Sequence, residues 1–542
     1  MTAVPTERAT APADNAAGEP TPRGTLLTAD RIVTLGHGRY RARALVIRGK
    51  RVVWVGDDPA QAPPHAGRID LDGCVVGPAF VDSHAHLTSF GIGLTGLDLS
   101  EARSGDDVLH AVRSYAGQHP GRVVMGQQYD PNRFDGALPS PDELSEAAGG
   151  RAVYLSRVDG HEGLVDRRTL SMAPLARASG LERDGAGEPT GVVHREANLL
   201  VRRWSVGAMS ETELQAARVA AARTAASRGY TGVHEMGGPD RLGREDFDAW
   251  LHGEWPVDIV GYWGAMEPHF AVDRDLRQIG GDIILDGSLD VRTAALVGGY
   301  TDQEGERGRL EYDDATLTAF FQEATRAELQ VAVHCVGDEA ILQAVRCWRA
   351  VEASLADYER GSVHRLRHRL EHATVMPPEI LPEIATLGLI VSGQPTFESS
   401  WGNEGGVYEH RLGPERAEWT SPFRSMANHG IALAFGSGSS SRPLEPWATV
   451  HAAQHRREER HALNRLEAYS ASTLGGRHAA RQERYVGVVR AGMWADLAAW
   501  EGDPFSTNDP RDTTCVLTVR RGRRTHGATE FSALEAWEPN PD

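Results

Sequence analysis

Short apolar runs alternate with Ala/Arg/Glu-rich stretches through the middle of this chain, and each end carries a β-rich pattern. These two observations predict an α/β protein: a (β/α)8 barrel with a small composite β-sandwich built from both chain ends. A third observation places the chemistry. Cys74–His86, CVVGPAFVDSHAH, is a continuous hydrophobic run that ends in two histidines one residue apart. Such a run suits a strand buried on both faces.

Taken in order, residues 1–24 have no hydrophobic signal core and read as a disordered, low-complexity leader. TLLTADRIVTL and RALVIRGKRVVWVG then read as short strands separated by turn residues. Near the other end, VGVVRAGMWADLAAWEGDPF and TTCVLTVRRGRR supply further strands. Residues 25–78 and 485–530 are therefore expected to form the sandwich, and 79–484 the barrel with insertions. Within the barrel, RAVYLSRVDGH, YTGVHEMGG, DIILDGS, LQVAVHCVGD, RLEHA, GLIVSGQP and IALAFGSGS read as strands. Glu211–Ser227 and Thr316–Leu329 read as helices. Barrel chemistry sits at the carboxyl ends of the strands, where these runs place their polar residues.

Composition narrows the function. The chain is 542 residues long, 40% hydrophobic and 24% charged, and carries a formal charge of −18. That balance argues against a nucleic-acid or anionic-membrane partner, either of which wants a basic face. No apolar run reaches the ~18 residues that a transmembrane span needs. The four cysteines, Cys74, Cys335, Cys347 and Cys515, have neither ligand-like nor disulfide-like spacing, so a cytoplasmic location is expected. Lys50 is the single lysine, which removes lysine chemistry from the interior.

On a strand, residues i and i+2 share a face, so His84 and His86 project together and can grip one metal ion. With 22 histidines in the chain, a lone His-x-His pair weighs no more than an ordinary polar pair. His334 closes LQVAVH and His372 closes HRLEH. Four histidines, each ending a predicted barrel strand, match a hydrolytic zinc site in which imidazoles hold the ion and leave a water position open.

At this point the sequence resembles the amidohydrolase superfamily, in the branch of the N-substituted formamide deformylases (amidohydrolase family 3). The resemblance rests on GPAFVDSHAH, RVDGH at Arg157–His161, EPTGVVHREA at Glu188–Ala197 and DGSLDVRTAAL at Asp286–Leu296. It continues through VAVHCVGD, HRLEHA, SGQPTF, LGPER and RAGMWADLAAWEGDPF, in order, from about Leu27 to Arg523. It implies a metal-binding (β/α)8 barrel that hydrolyses an amide or related C–N bond of a small molecule with metal-activated water. It also implies that RLEHA is a strand, which leaves His364 and His368 as surface residues, and that His161 faces the substrate.

Two departures fall on the family's chemical residues. Four positions before the aspartate of DGSL the family writes a lysine that, carbamylated, can bridge two metals; this chain has Asp282. Where the family ends its eighth strand with Gly-Ser-Asp, this chain has Gly438 in place of the aspartate. One divalent ion, zinc for preference, is therefore expected on His84, His86, His334 and His372. Asp282 is a candidate ligand or a plain strand-end residue. His161, Asp286 and Asp282 are the candidates for the altered catalytic role, with Glu235 also weighed. Arg292, Tyr129, Phe397 and Trp401 are the candidate substrate contacts, and a homodimer is left open. Besides hydrolysis, the lost aspartate leaves two other readings: a metal-dependent lyase, isomerase or cyclase, and a catalytically silent binding protein.

Overall fold

A computed structural model describes residues 24–36, 42–157, 162–439 and 442–539. Both chain ends enter one seven-stranded sheet, in the spatial order Arg523–Gly527, Cys515–Arg520, Leu497–Glu501, His65–Pro78, Gly24–Ile32, Ala42–Arg48, Arg51–Gly56. Period-two alternation makes this sheet a shared wall. Along Leu497–Glu501, Leu497 and Ala499 join the sheet's own core with Leu27, Ile69 and Leu517. Ala498 and Trp500 point the other way, into the core of the central body.

That body is built on eight strands, all paired in parallel: β1 (Phe80–Ala85), β2 (Tyr230–Gly237), β3 (Asp258–Trp263), β4 (Gln278–Ile284), β5 (Gln330–Cys335), β6 (Arg369–His372), β7 (Ile390–Gly393) and β8 (Leu433–Phe435). Three form a sheet in the order β3-β2-β1 and five a sheet in the order β4-β5-β6-β7-β8. The two meet twice. Ala85 bridges Ser439 in parallel beyond β8, and the Gln278 amide at the start of β4 donates to the Gly261 carbonyl of β3 at 2.9 Å. Val233, Ile279, Val331, Leu370 and Val391 from these strands pack into one apolar core with the flanking helices.

The helices follow their local signals. Glu211–Ser227 forms as expected, with a capping box between Ser210 and Glu213. The second helix runs Asp314–Arg326 rather than Thr316–Leu329. Asp313 caps it two residues earlier, and Glu328, at φ 58°, has already left helical geometry before β5.

Two sequence readings are corrected here. RAVYLS lies in a separate six-stranded sheet inserted between β1 and β2, as the strand Ala152–Arg157, and is not one of the eight parallel strands. Its place among the parallel strands belongs to Asp258–Trp263, a short run that opens on a charged residue, Asp258. A buried run reads alike whichever sheet holds it, so pattern alone could not separate the two. His368 is fully buried, not a surface residue: its ring stacks on Trp348 at 3.6 Å, and its Nδ1 accepts the Val331 N–H. His364 is exposed. Among the described residues no helix is long and apolar enough to cross a membrane.

Candidate metal centre

His84 sits on β1, and His86 one step beyond the strand's end. Each ring is fixed through its Nδ1. That of His84 lies 2.8 Å from Glu371 Oε2, and that of His86 lies 2.9 Å from the Met236 carbonyl oxygen. Such partners orient a ligating imidazole and leave its Nε2 free. Asp282 on β4 meets these two nitrogens: His84 Nε2 is 3.8 Å from Oδ1 and His86 Nε2 is 3.6 Å from Oδ2. One donor atom from each of the three residues fits within 4.8 Å of the others.

His334 and His372 complete the cluster. The His372 ring centroid lies 4.8 Å from that of His84 and 4.5 Å from that of His334. Strand alternation would send His372 to the side of Leu370, but its φ of 67° and that of Ala373, 46°, turn the chain and redirect the ring. Gln394 Oε1 holds its Nδ1 at 2.6 Å. Non-glycine residues in this backbone region cost energy and gather at functional sites.

Beneath the ligands runs a buried polar network. Arg369 donates to Glu371 at 2.7 and 3.0 Å and to the Ser83 carbonyl at 2.6 Å, and it lies 2.8 Å from His234 Nδ1. Burial works to raise the Glu371 carboxyl, but Arg369 and His84 outweigh it and hold it below the usual range. Burial holds His86 near pKa 3, with help from Arg241, and His334 near 4. Burial also pushes the Asp282 carboxyl up, yet Arg241, followed by the histidines, holds it well below the ordinary carboxylate value. His86, His334 and His372, all held low by burial, are therefore neutral imidazoles near neutral pH, beside the charged Asp282 carboxylate.

This donor set fits a divalent ion. Imidazole nitrogen and carboxylate oxygen suit zinc and similar metals. The buried Nδ1 of His334 has no hydrogen-bond partner, which is costly for a polar atom unless something else engages it.

The cluster forms the floor of a cavity of about 1100 Å³. Phe397 and Trp401 line one wall, stacked at 5.2 Å and 7°. Phe397 also explains Gly438. At that glycine φ is +68°, and a β-carbon there would lie 2.7 and 2.8 Å from the Phe397 ring and 3.3 Å from Gln394. A phenyl ring fills the space where a side chain at position 438 would begin.

The other sequence candidates lie elsewhere. Asp286 does not line the cavity: Oδ1 accepts from Val336 N–H and Oδ2 from Ala295 and Gly337 N–H, each at 2.8 Å. Burial raises its pKa to about 7. Glu235 is buried and accepts the Leu87 N–H at 2.7 Å. Tyr129 is buried and donates to Glu162, and Arg292 pairs with Asp302; neither lines the cavity. His161 lies outside the described residues. Arg241, on the loop after β2, was missed by sequence reasoning although it reaches Asp282. An exposed loop arginine carries no local signal that it will turn inward.

Parallel strands gathering imidazoles and a carboxylate at their carboxyl ends define a class of metal-binding α/β proteins. The chain belongs to the amidohydrolase family, whose model matches residues 68–526. It is 28% identical over 491 residues to the Bacillus subtilis protein YtcJ, whose name assigns it provisionally as an amidohydrolase; the match covers 82% of this chain and 87% of that one. It is 23% identical over 525 residues to the N-substituted formamide deformylase of Arthrobacter pascens, covering 89% and 94%. A solved structure, an uncharacterized metal-dependent hydrolase from Pyrococcus furiosus, shares the fold with a TM-score of 0.75 at 24% identity. That match covers 89% of this chain and all of the other.

Proposed function

We propose that this chain is a metal-dependent hydrolase that cleaves an amide, formamide or cyclic C–N bond of a small molecule. The observation that carries this reading is the convergence of His84 Nε2, His86 Nε2 and the Asp282 carboxylate, at 3.8 and 3.6 Å. These three residues would hold one ion, zinc for preference, with His334 and His372 beside it. When bound, the ion supplies a water acidic enough to serve as nucleophile near neutral pH. Glu371 and the Met236 carbonyl keep the two Nε2 atoms aimed at the ion. The Phe397–Trp401 wall receives the apolar part of the substrate. Asp286 serves as a scaffold that ties three backbone N–H groups together, and His161 is our candidate for protonating the leaving amine. We also read the eight parallel strands as a closed (β/α)8 barrel spanning 79–484. The curled sheet of 25–78 and 485–530, in which Arg51 bridges Trp494, is read as its sandwich companion.

Elemental analysis of protein purified without chelators tests the centre. One ion per chain, lost in the His84→Ala/His86→Ala variant, is expected, together with turnover of some member of a panel of N-formyl amines and cyclic amides. Protein that takes up no metal even after reconstitution refutes the reading. Phe397 standing over Gly438 favours a second reading, a lyase, isomerase or cyclase that needs no carboxylate there. Its products together would contain no added water, so their summed mass would not exceed that of the substrate.

A further inference from the structure

Asp282 is shared. Its Oδ1 faces His84, while its Oδ2 faces His86 and also accepts two donors from Arg241, Nε at 2.8 Å and Nη2 at 2.5 Å. Arg241 reaches it from the mouth of the cavity. Its side chain is 42% exposed, its backbone N–H is tied to the Gly238 carbonyl, and Asp282 is the one carboxylate it pairs with among the described residues. The carboxylate is thus clamped from the open side by a fixed positive charge.

We infer that Arg241 is a built-in counter-cation that limits this centre to a single metal ion. The inference rests on the metal reading above and adds to it the residue that sets the count. A second ion would have to settle against His334 and His372, and the carboxylate whose charge both of these rings feel is Asp282. Arg241 already occupies one of its two oxygens, Oδ2. Glu371 cannot substitute, because both its oxygens are engaged by Arg369 and one by His84 Nδ1 as well. With one dication and the guanidinium in place, the single negative charge of Asp282 is already outweighed. A second dication would face net repulsion from both, with no further negative charge among the described residues of the cavity floor to offset it. Arginine suits this task because its guanidinium stays charged at any working pH and grips a carboxylate through paired donors. Its formal charge stands where a second metal would otherwise supply one.

The test is zinc titration of the metal-free full-length protein, read by calorimetry and by elemental analysis after desalting. Wild type should saturate at one zinc per chain even in excess metal. Arg241→Ala should take two, and its second equivalent should vanish when His334→Ala is added. Arg241→Lys, which keeps the charge, should stay at one. Near-ultraviolet circular dichroism checks that the variants are folded. Two zinc ions in wild type, or a single one in Arg241→Ala, overturns the inference while leaving the metal centre standing. No zinc in wild type, or zinc retained by His84→Ala/His86→Ala, overturns the metal reading itself and this inference with it.

Discussion

Replacing Gly438 by aspartate restores the residue that the family resemblance expects, and the geometry says it should fail. Two costs arise independently. The backbone stands at φ +68°, where aspartate is better tolerated than most residues but still loses about 1 kcal/mol. The new β-carbon would lie 2.7 and 2.8 Å from Phe397, a distance that forces the ring or the backbone to move. Overpacking of this kind costs about 1–3 kcal/mol. Gly438→Asp should therefore be about 2–4 kcal/mol less stable than wild type. Phe397→Ala alone loses the stack on Trp401, worth about 0.5–1.5 kcal/mol beyond its buried area. The double variant removes the clash, so the two changes should couple favourably by about 1–3 kcal/mol. Urea unfolding of the four proteins closes the cycle. Hydrolysis of an N-formyl amine, followed in parallel, should rise only in the double variant, since a positioned acid is worth about 10²–10⁴-fold. If Gly438→Asp is as stable as wild type, Phe397 does not fill that space and the argument is refuted.

Three further outcomes follow from buried polar groups. Glu371→Gln leaves the Arg369 charge uncompensated in the interior and should cost about 3–5 kcal/mol in urea unfolding; zinc affinity should fall about 10–100-fold as His84 loses its orienting partner. Asp286→Asn leaves at least one of three backbone N–H groups unsatisfied and should cost about 1–3 kcal/mol, with metal content unaffected. His461 is held near pKa 4 by burial and by Arg460 and Arg456, below the 6.5 of an unfolded histidine. Between pH 4 and 6.5 the unfolded chain therefore binds more protons, so stability rises with pH and this share is fully present above 6.5. His461→Asn should flatten that slope, read as unfolding free energy against pH.

The half of the centre that lies on one strand was legible in the sequence. His84 and His86 follow from period two on a buried run, and the polar ends of β5 and β6 pointed to His334 and His372. Asp282 was visible as a departure from the resemblance, yet its role was not, because sequence gives no distance from β4 to β1. What stayed hidden depends on through-space packing. Phe397 meets Gly438 from 41 positions away in the chain, and Arg241 turns inward from an exposed loop. The scaffold failed in the same way. Ala152–Arg157 and Asp258–Trp263 are both short apolar strands, and which one joins the parallel set is decided by the sheet each pairs with.

The buried network also bears on whether this centre is a relic. Glu371, Arg369 and His234 engage one another below the floor, and His84 joins the network through its Nδ1 at Glu371. Above it, three imidazoles are held with their Nδ1 atoms engaged and a fourth, His334, keeps a buried Nδ1 with no partner. An arrangement serving stability alone would pair that atom, since leaving it bare costs about 1–3 kcal/mol. His372 adds backbone strain at φ 67° to bring its ring beside the others. Orphaned and strained groups converging on one charged carboxylate fit a site that binds a cation better than they fit an abandoned one.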